Sequence, residues 1–326
     1  MQEVREDVLM EQKVKVFIDG SEGTTGLRIF ERFQDRDDVE IIKINPELRK
    51  DPAERAKMIN ASDVTFLCLP DAASIEAVSL CTNPEVKIID ASTAHRTNPD
   101  WAYGFPELSD AHKEKILTGK RIAVPGCHAS GFIACVYPLV ASGILPKNYP
   151  VVCFSLTGYS GGGKKMIAQY EDENRPVELD APREYGLTQM HKHLKEMKEI
   201  TGLEIAPIFT PIVDDYYSGM VVSVPLFTDK LAKKMTLGEV RAFFADYYAG
   251  KKFIKVLDEE ETAALGGFLA GNGRSGWDGM DIIVTGNDER ITVNARFDNL
   301  GKGASGAAIQ CMNLAIGAEE DAGLVL

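Results

Sequence analysis

Uninterrupted apolar runs are missing from this 326-residue chain. No stretch nears the roughly 20 residues that cross a bilayer, so a membrane protein is not expected. Positive charge is scarce too. Lys and Arg total 36 against 49 Asp and Glu, a net charge of -13, the wrong balance for a general binder of nucleic acid or anionic membrane. Any anionic ligand must then be held by a local cluster of donors. Cysteines number six, irregularly spaced and without a CxxC pair, which argues against a disulfide framework and against a metal site. The opening MQEVREDVLMEQ mixes both charge signs and has no apolar signal core, so a cytoplasmic protein is expected. What remains is 44% hydrophobic and 26% charged residues, the composition of a globular chain long enough for two domains.

The first 125 residues alternate short β-branched runs with helical patterns. Strands are expected at 13–18, 39–44, 64–69, 86–89 and 122–124, and helices at 24–33, 52–60, 72–80 and 109–117. Such alternation with apolar strands argues for a parallel sheet covered on both faces. In the first helix, Leu27, Phe30 and Ile29 are expected on the buried side. Beyond about residue 145 strands follow one another at 151–156, 204–211, 216–226, 280–284 and 290–295, with helices at 188–201 and 236–248. That reads as an α+β unit with a mixed or antiparallel sheet. A long loop is expected over 265–279, and a final buried helix from near Gly303.

Three segments carry chemistry. IDGSEGTTG sets Gly20, Gly23 and Gly26 between a strand and a helix. Glycines there let the backbone approach a pyrophosphate seated on the helix N-terminus, although an ordinary glycine-rich turn reads the same. The second strand does not end in an acidic residue for a ribose 2′-hydroxyl; Asn45 stands at its end, with Arg49 and Lys50 a few residues on, which favours NADP over NAD unless those residues form only a solvated loop. Next, IAVPGCHASG puts Cys127 just before an apolar helix, where free N–H groups and the macrodipole stabilise a thiolate. The other five cysteines lie inside or at the end of expected elements, where inert thiols are common. A structural thiol remains the competing reading of Cys127. Finally, SLTGYSGGGKK nearly matches a Walker A loop, but Lys165 stands where magnesium needs Ser or Thr. An anion cradle survives, made of Ser160, the N–H groups of Gly161–Gly163, and Lys164 or Lys165.

A nucleophilic thiol needs a proton partner. In LTQMHKHLKEMKEITG, Leu187, Met190, Leu194 and Met197 fall at helical spacing. His193 flanks that stripe one turn before Glu196, whose carboxylate would orient the ring and favour its charged form. His191 would project about 200° away on a regular helix, so the two rings would not share a task.

A thiol, a histidine, an anion cradle and a dinucleotide loop together describe phosphorylating aldehyde dehydrogenation. At this point the chain resembles the N-acetyl-gamma-glutamyl-phosphate reductase family of arginine biosynthesis, in its shorter type. The matching motifs are GSEGTTG, DASTAHR at 90–96, PGCHASG at 125–131, TGYSGGGKK at 157–165, HKHLKEM at 191–197 and DNLGKGASGAAIQ at 298–310. Lys195 departs from the proline many members carry there. Aspartate-semialdehyde dehydrogenase, acting on a different acyl phosphate, is the nearest alternative. A redox-sensing nucleotide binder and a P-loop NTPase are the rivals from other classes.

The resemblance implies an α/β protein: a Rossmann-like NADP-binding domain (1–128 with 303–326) plus an inserted α+β catalytic and oligomerisation domain (129–302) with a mixed or antiparallel sheet. It implies Cys127 as nucleophile and His193 as acid/base. Arg96, Ser160, Lys164 and Glu196 would contact substrate. Gly20, Ser21, Gly23, Thr24, Thr25, Gly26, Arg49, Ser160, Gly161 and Asn299 would bind NADP(H). The expected partners are a small acyl-phosphate substrate and further copies of the chain, as a homodimer or homotetramer, with no metal, nucleic acid or membrane.

Overall fold

A computed structural model describes residues 13–326; the expectations for the first dozen residues lie outside it. Two sheets organise the chain. The first is built from β1 (Val14–Asp19), β2 (Val39–Ile42), β3 (Val64–Leu67), β4 (Lys87–Asp90), β5 (Ala102–Tyr103) and β6 (Arg121–Ala123), in the order β2-β1-β3-β4-β6-β5. All its pairings are parallel. Each crossover needs a covering element, and α1 (Thr24–Phe33), α2 (Pro52–Ala61), α3 (Asp71–Leu80) and α4 (Asp110–Thr118) supply most of them. Their starts are legible chemically. Asp51 accepts the N–H groups of Ala53 and Glu54 ahead of Pro52, and Ser109 accepts that of His112, each satisfying orphan donors. Burial in α1 falls on Gly26, Ile29 and Phe33. Leu27 is exposed, contrary to expectation, because the glycine at 26 is the face that closes on the loop.

Chain direction makes β1 the point where strand order turns, with β2 on one side and β3 on the other. In open α/β sheets the crevice at the carboxyl ends beside such a point receives ligands.

The second sheet contains β7 (Val152–Gly158), β8 (Arg183–Glu184), β9 (Ile208–Asp214), β10 (Met220–Phe227), β11 (Ile254–Val256), β12 (Met280–Gly286) and β13 (Arg290–Phe297), ordered β11-β12-β13-β10-β7-β9-β8. Parallel pairs β7/β9 and β11/β12 sit among antiparallel ones, so the sheet is mixed. Its inner face packs on α5 (Cys127–Ala141), α7 (His193–Thr201) and α8 (Leu237–Tyr247) in one apolar core that includes Phe132, Met197, Phe209, Phe244 and Phe297. The helix α5 runs unbroken across the expected 128/129 boundary. Two short helices, α6 (Gly163–Tyr170) and α9 (Glu259–Ala263), lie between strands, and residues 265–279 form the expected loop.

The last helix begins later than expected. Gly301–Ser305 forms a π-helical turn, and α10 (Gly306–Ile316) follows. Its small residues are almost wholly buried. They join the core of the first sheet with Ile29, Phe66 and Ile122.

Candidate active site

The carboxyl ends of the first sheet's strands open into a cleft of about 500 Å³. Gly23, Thr24 and Thr25 line it after β1, Cys68 and Leu69 after β3, Ala91 and Arg96 after β4, and 124–128 after β6. The facing wall comes from the end of β7 and Ser160–Gly163, the 191–193 segment, Tyr185, and the turn after β13 with Asn299, Gly303 and Ala304. Cys127, His193, Arg96, Ser160, Gly161 and Asn299 therefore share one cavity with the glycine loop.

That loop fits an anionic dinucleotide. Gly20 has φ +89°, and a Cβ there would strike the Cys68 carbonyl; one on Gly26 would strike Gly20. Both glycines shape the loop rather than line the cleft. Ser21 also stands off the lining. The N-terminus of α1 has no side-chain cap and no acidic residue in its first turn. The Thr24 hydroxyl is buried without a partner, a polar atom waiting for an acceptor or donor. Across the cleft, a Cβ on Gly163 would meet only that hydroxyl, at 4.0 Å. Arg49 lies outside the lining, exposed, in an ion pair of 2.7 Å with Glu22 of the loop.

Cys127 is the first residue of α5, after the uncapped Gly126. It is half-buried, whereas Cys135, Cys153 and Cys311 are fully buried. Burial pushes its thiol up, against the sequence expectation of a standing thiolate. The His128 N–H, Arg96 and Lys192 oppose that rise. Cys68 also lines the cleft, but burial and then Asp90 and Asp19 push its thiol up to about 12.

His193 is buried, and burial first, then Arg96, His128, His191 and Lys192, hold it well below the ordinary histidine value. Its Nδ1 has no partner. Glu196 does not orient this ring. The carboxylate accepts from Arg96 Nη1 at 3.0 Å, from the Tyr103 hydroxyl at 2.7 Å and from the Gly126 N–H at 2.9 Å. Three charge-assisted bonds outweigh one local contact on a helix, so the expected His193–Glu196 pairing is displaced. Both His193 and Arg96 crowd Gly126, where a Cβ would collide with the ring and the guanidinium. A Cβ on Gly303 would come 3.0 Å from that of Cys127.

Arg96 is buried and spends three of its five N–H groups on the protein, on Val124 O, Ala91 O and Glu196. Two remain for the cleft. Lys164 is exposed and does not line it. The 3₁₀ turn Tyr159–Gly162 bends the chain before α6 and leaves Lys164 outside. Lys192 takes the place of second cation in the lining. Sequence reasoning passed over it because it assumed a helix through 188–201. That helix begins at His193, so His191 is not turned away: its ring lies 4.7 Å from that of His193, edge-on. Ser160 Oγ accepts from Asn299 Nδ2 at 3.0 Å, and Asn299 Oδ1 accepts from the Gly219 N–H at 2.8 Å. Tyr103 and Tyr185 were also missed, for want of any motif around them, and His128 was passed over within PGCHASG because Cys127 beside it drew the reading.

Comparison with known proteins agrees with this layout. Residues 20–116 match the family model of the semialdehyde dehydrogenase NAD binding domain, and residues 127–299 that of its dimerisation domain. An N-acetyl-gamma-glutamyl-phosphate reductase of Nostoc sp. is 45% identical over 320 residues, 96% of this chain and 99% of the relative. One from Sinorhizobium medicae is 47% identical, covering 94% of this chain and all of its own. Among solved structures, aspartate semialdehyde dehydrogenase II of Vibrio cholerae superposes with a TM-score of 0.69 at 16% identity, over 94% of this chain and 99% of that one, a likeness of fold. With a dinucleotide loop, a thiol at a helix start and near-full-length similarity to several such reductases, the chain belongs to the semialdehyde dehydrogenase family and, within it, to the N-acetyl-gamma-glutamyl-phosphate reductases.

Proposed function

We propose that the protein reduces N-acetyl-gamma-glutamyl phosphate to N-acetyl-glutamate semialdehyde with NADPH, a step of arginine biosynthesis. The observation that carries this reading is a single cleft shared by Cys127, His193, Arg96 and the glycine loop. In the resting site the raised thiol and the lowered imidazole are both neutral. A neutral imidazole is the form that accepts a proton, so His193 takes the thiol proton as sulfur attacks the acyl carbon. The N–H groups at the start of α5 face the developing oxyanion. The carbon–oxygen bond to phosphate breaks, and His193 passes its proton to the leaving group. Arg96 and Lys192 stabilise the departing charge, and Cys127 is left as a thioester.

NADPH, when bound, supplies the hydride that reduces the thioester carbon. Gly23, Thr24, Gly161 and Asn299 would hold the dinucleotide, and Arg49 its 2′-phosphate. Collapse of the tetrahedral adduct re-forms the carbonyl and breaks the carbon–sulfur bond. His193, protonated from solvent, gives that proton to the departing Cys127 thiolate and so restores the neutral pair. A free thiol of this kind suits the reducing conditions of the cytoplasm. Residues 129–302 would form the second domain, with 303–326 completing the first. The outer face of the second sheet presents Phe154, Ile208 and Phe227, each about half exposed. Register places the three on one face, which supports a homodimer or homotetramer built there.

The test is a Cys127→Ser enzyme assayed in the aldehyde-oxidising direction with phosphate and NADP. Turnover is expected to fall at least about 100-fold. Near wild-type turnover would refute the thioester scheme. Comparing N-acetylated with free-amine aldehydes separates this substrate from that of an aspartate-semialdehyde dehydrogenase.

A further inference from the structure

Tyr185 lines the cleft with Cys127, His191 and His193. Hydrogen-bonded to it is His128, which also lines the cleft, is 3% exposed and is next to the nucleophile in sequence. Both ring nitrogens of His128 are engaged: Nε2 lies 2.5 Å from the Tyr185 hydroxyl and Nδ1 2.7 Å from Ser155 Oγ. Burial, and then His191 and Lys192, push the imidazole down to about 3, so it is neutral at working pH. A neutral ring has one N–H and one lone pair, which leaves two possible polarities for the chain of bonds.

In one polarity Nδ1–H donates to Ser155, and Tyr185 donates to Nε2. The Ser155 hydroxyl proton then needs an acceptor. Ser155 is fully buried, and among the described residues its hydroxyl bonds only to His128. That arrangement strands a buried donor, which is costly. In the other polarity Ser155 donates to Nδ1, and Nε2–H donates to the Tyr185 oxygen. Every buried proton then has an acceptor, and the Tyr185 proton is left for the cleft.

We propose that Tyr185 is a further substrate-contacting residue, a hydrogen-bond donor whose direction is set by Ser155 and His128, for an anionic oxygen of the acyl phosphate. Burial and the nearby Cys127 push the phenol up, so it binds as a donor and does not act as an acid or base. The oxygen belongs to the phosphate or to the carboxylate of the carbon chain. Ser155 and His128 are positioning residues.

The assignment rests on the reductase reading, so the first measurement avoids substrate altogether. In protein labelled with nitrogen-15 in histidine, the His128 signal, identified by its loss in His128→Gln, is expected as the Nε2–H tautomer. The Nδ1–H tautomer overturns the proposal whatever the substrate. The second measurement is the aldehyde-oxidising reaction of Tyr185→Phe, with phosphate, aldehyde and NADP varied in turn. KM for phosphate or KM for aldehyde, according to which oxygen is held, is expected to rise roughly 10-fold or more. KM for NADP and the shape of the pH profile stay as in the wild type. Unchanged KM for both phosphate and aldehyde overturns the contact. Ser155→Ala, outside the cleft lining, is expected to move the same KM in the same direction by less, because the ring behind it can then turn over. No movement there removes the polarity role. Absence of wild-type turnover would count against the reductase reading alone and leave the tautomer result standing.

Discussion

Glu196→Gln probes how the cleft is held together. Glu196 is 2% exposed and receives three donors: Arg96 on Oε2, and the Tyr103 hydroxyl and Gly126 N–H on Oε1. Glutamine has nearly the same shape but only one acceptor oxygen. If that oxygen stays toward Tyr103 and Gly126, the new NH₂ faces a guanidinium, and Arg96 loses the carboxylate that balances its charge. If the amide turns over, the Gly126 N–H faces another donor. Removing one member of a buried ion pair costs about 3–5 kcal/mol, and a stranded buried donor about 1–3 kcal/mol. Water reaching Arg96 from the cleft relieves part of this, so about 3 kcal/mol is the expected loss. That is a sizeable share of a total stability of roughly 5–15 kcal/mol. Urea unfolding of the variant beside the wild type measures it. Tyr103→Phe, which removes one donor and no charge, is expected to cost about 1 kcal/mol in the same assay. Because Arg96 and the peptide before Cys127 share this carboxylate, KM for the acyl phosphate should rise and kcat should fall in Glu196→Gln. A loss below about 1 kcal/mol together with unchanged kinetics would refute the reasoning.

Two other predictions come from different parts of the molecule. Arg49→Ala should raise KM for NADP by roughly 10-fold while leaving NAD nearly unchanged, since a charge-assisted bond to the 2′-phosphate would go with the guanidinium; equal loss for both cofactors removes that role. Acid should destabilise the fold through its buried histidines. His128 is pushed down to about 3 and His193 well below the ordinary value, so in the folded chain both stay neutral where the unfolded chain takes up protons. The stability they contribute is complete above the unfolded value of about 6.5 and is lost as pH falls from there toward the folded values. Each adds a slope of up to about 1.4 kcal/mol per pH unit, about 3 kcal/mol per unit for the two between pH 5.5 and 4. Unfolding free energies measured across that window should show this slope reduced by about one histidine's share in His128→Gln. An unaltered slope would mean that His128 is not buried neutral.

Much of the fold was legible because parallel strands buried on both faces are plain apolar runs. VTFLCL and VKII stand out by composition, and the strands β3 and β4 form there, at Val64–Leu67 and Lys87–Asp90. Cys127 and the glycine loop were legible for a similar reason, since each marks a junction between strand and helix. The two-residue strands β5 and β8 are too short to carry a period. The largest departure is at 187–192. Leu187 and Met190 match a helical stripe with Leu194 and Met197, yet they are 75% and 82% exposed. Gly186 and Gln189 take positive φ there. Gln189 is held by both its amide atoms on the backbone of Phe209, at 2.8 and 2.9 Å. A pairing 20 residues away thus decides a conformation that local periodicity assigned to a helix, and it is this turn that brings His191 and Lys192 to the cleft.

Charge in the cleft shows the same precedence of distant partners. The chain carries a net charge of -13, yet the cleft lining contains Arg96 and Lys192 and, among the described residues, no Asp or Glu. The Glu196 carboxylate is withheld behind Arg96 and spent on three donors. The same cations favour the Cys127 thiolate and disfavour a charged His193. An acyl phosphate seated between them would offset both effects at once. The thiol would become a weaker acid as the imidazole became a stronger base, so the two changes oppose each other, and proton transfer to His193 would be drawn forward by attack on the acyl carbon, which consumes the thiolate as it forms. An acidic protein can therefore seat an anionic substrate beside a neutral thiol and a neutral imidazole, because the charges that would recognise the substrate shift the proton affinities of both members of the pair in the same direction.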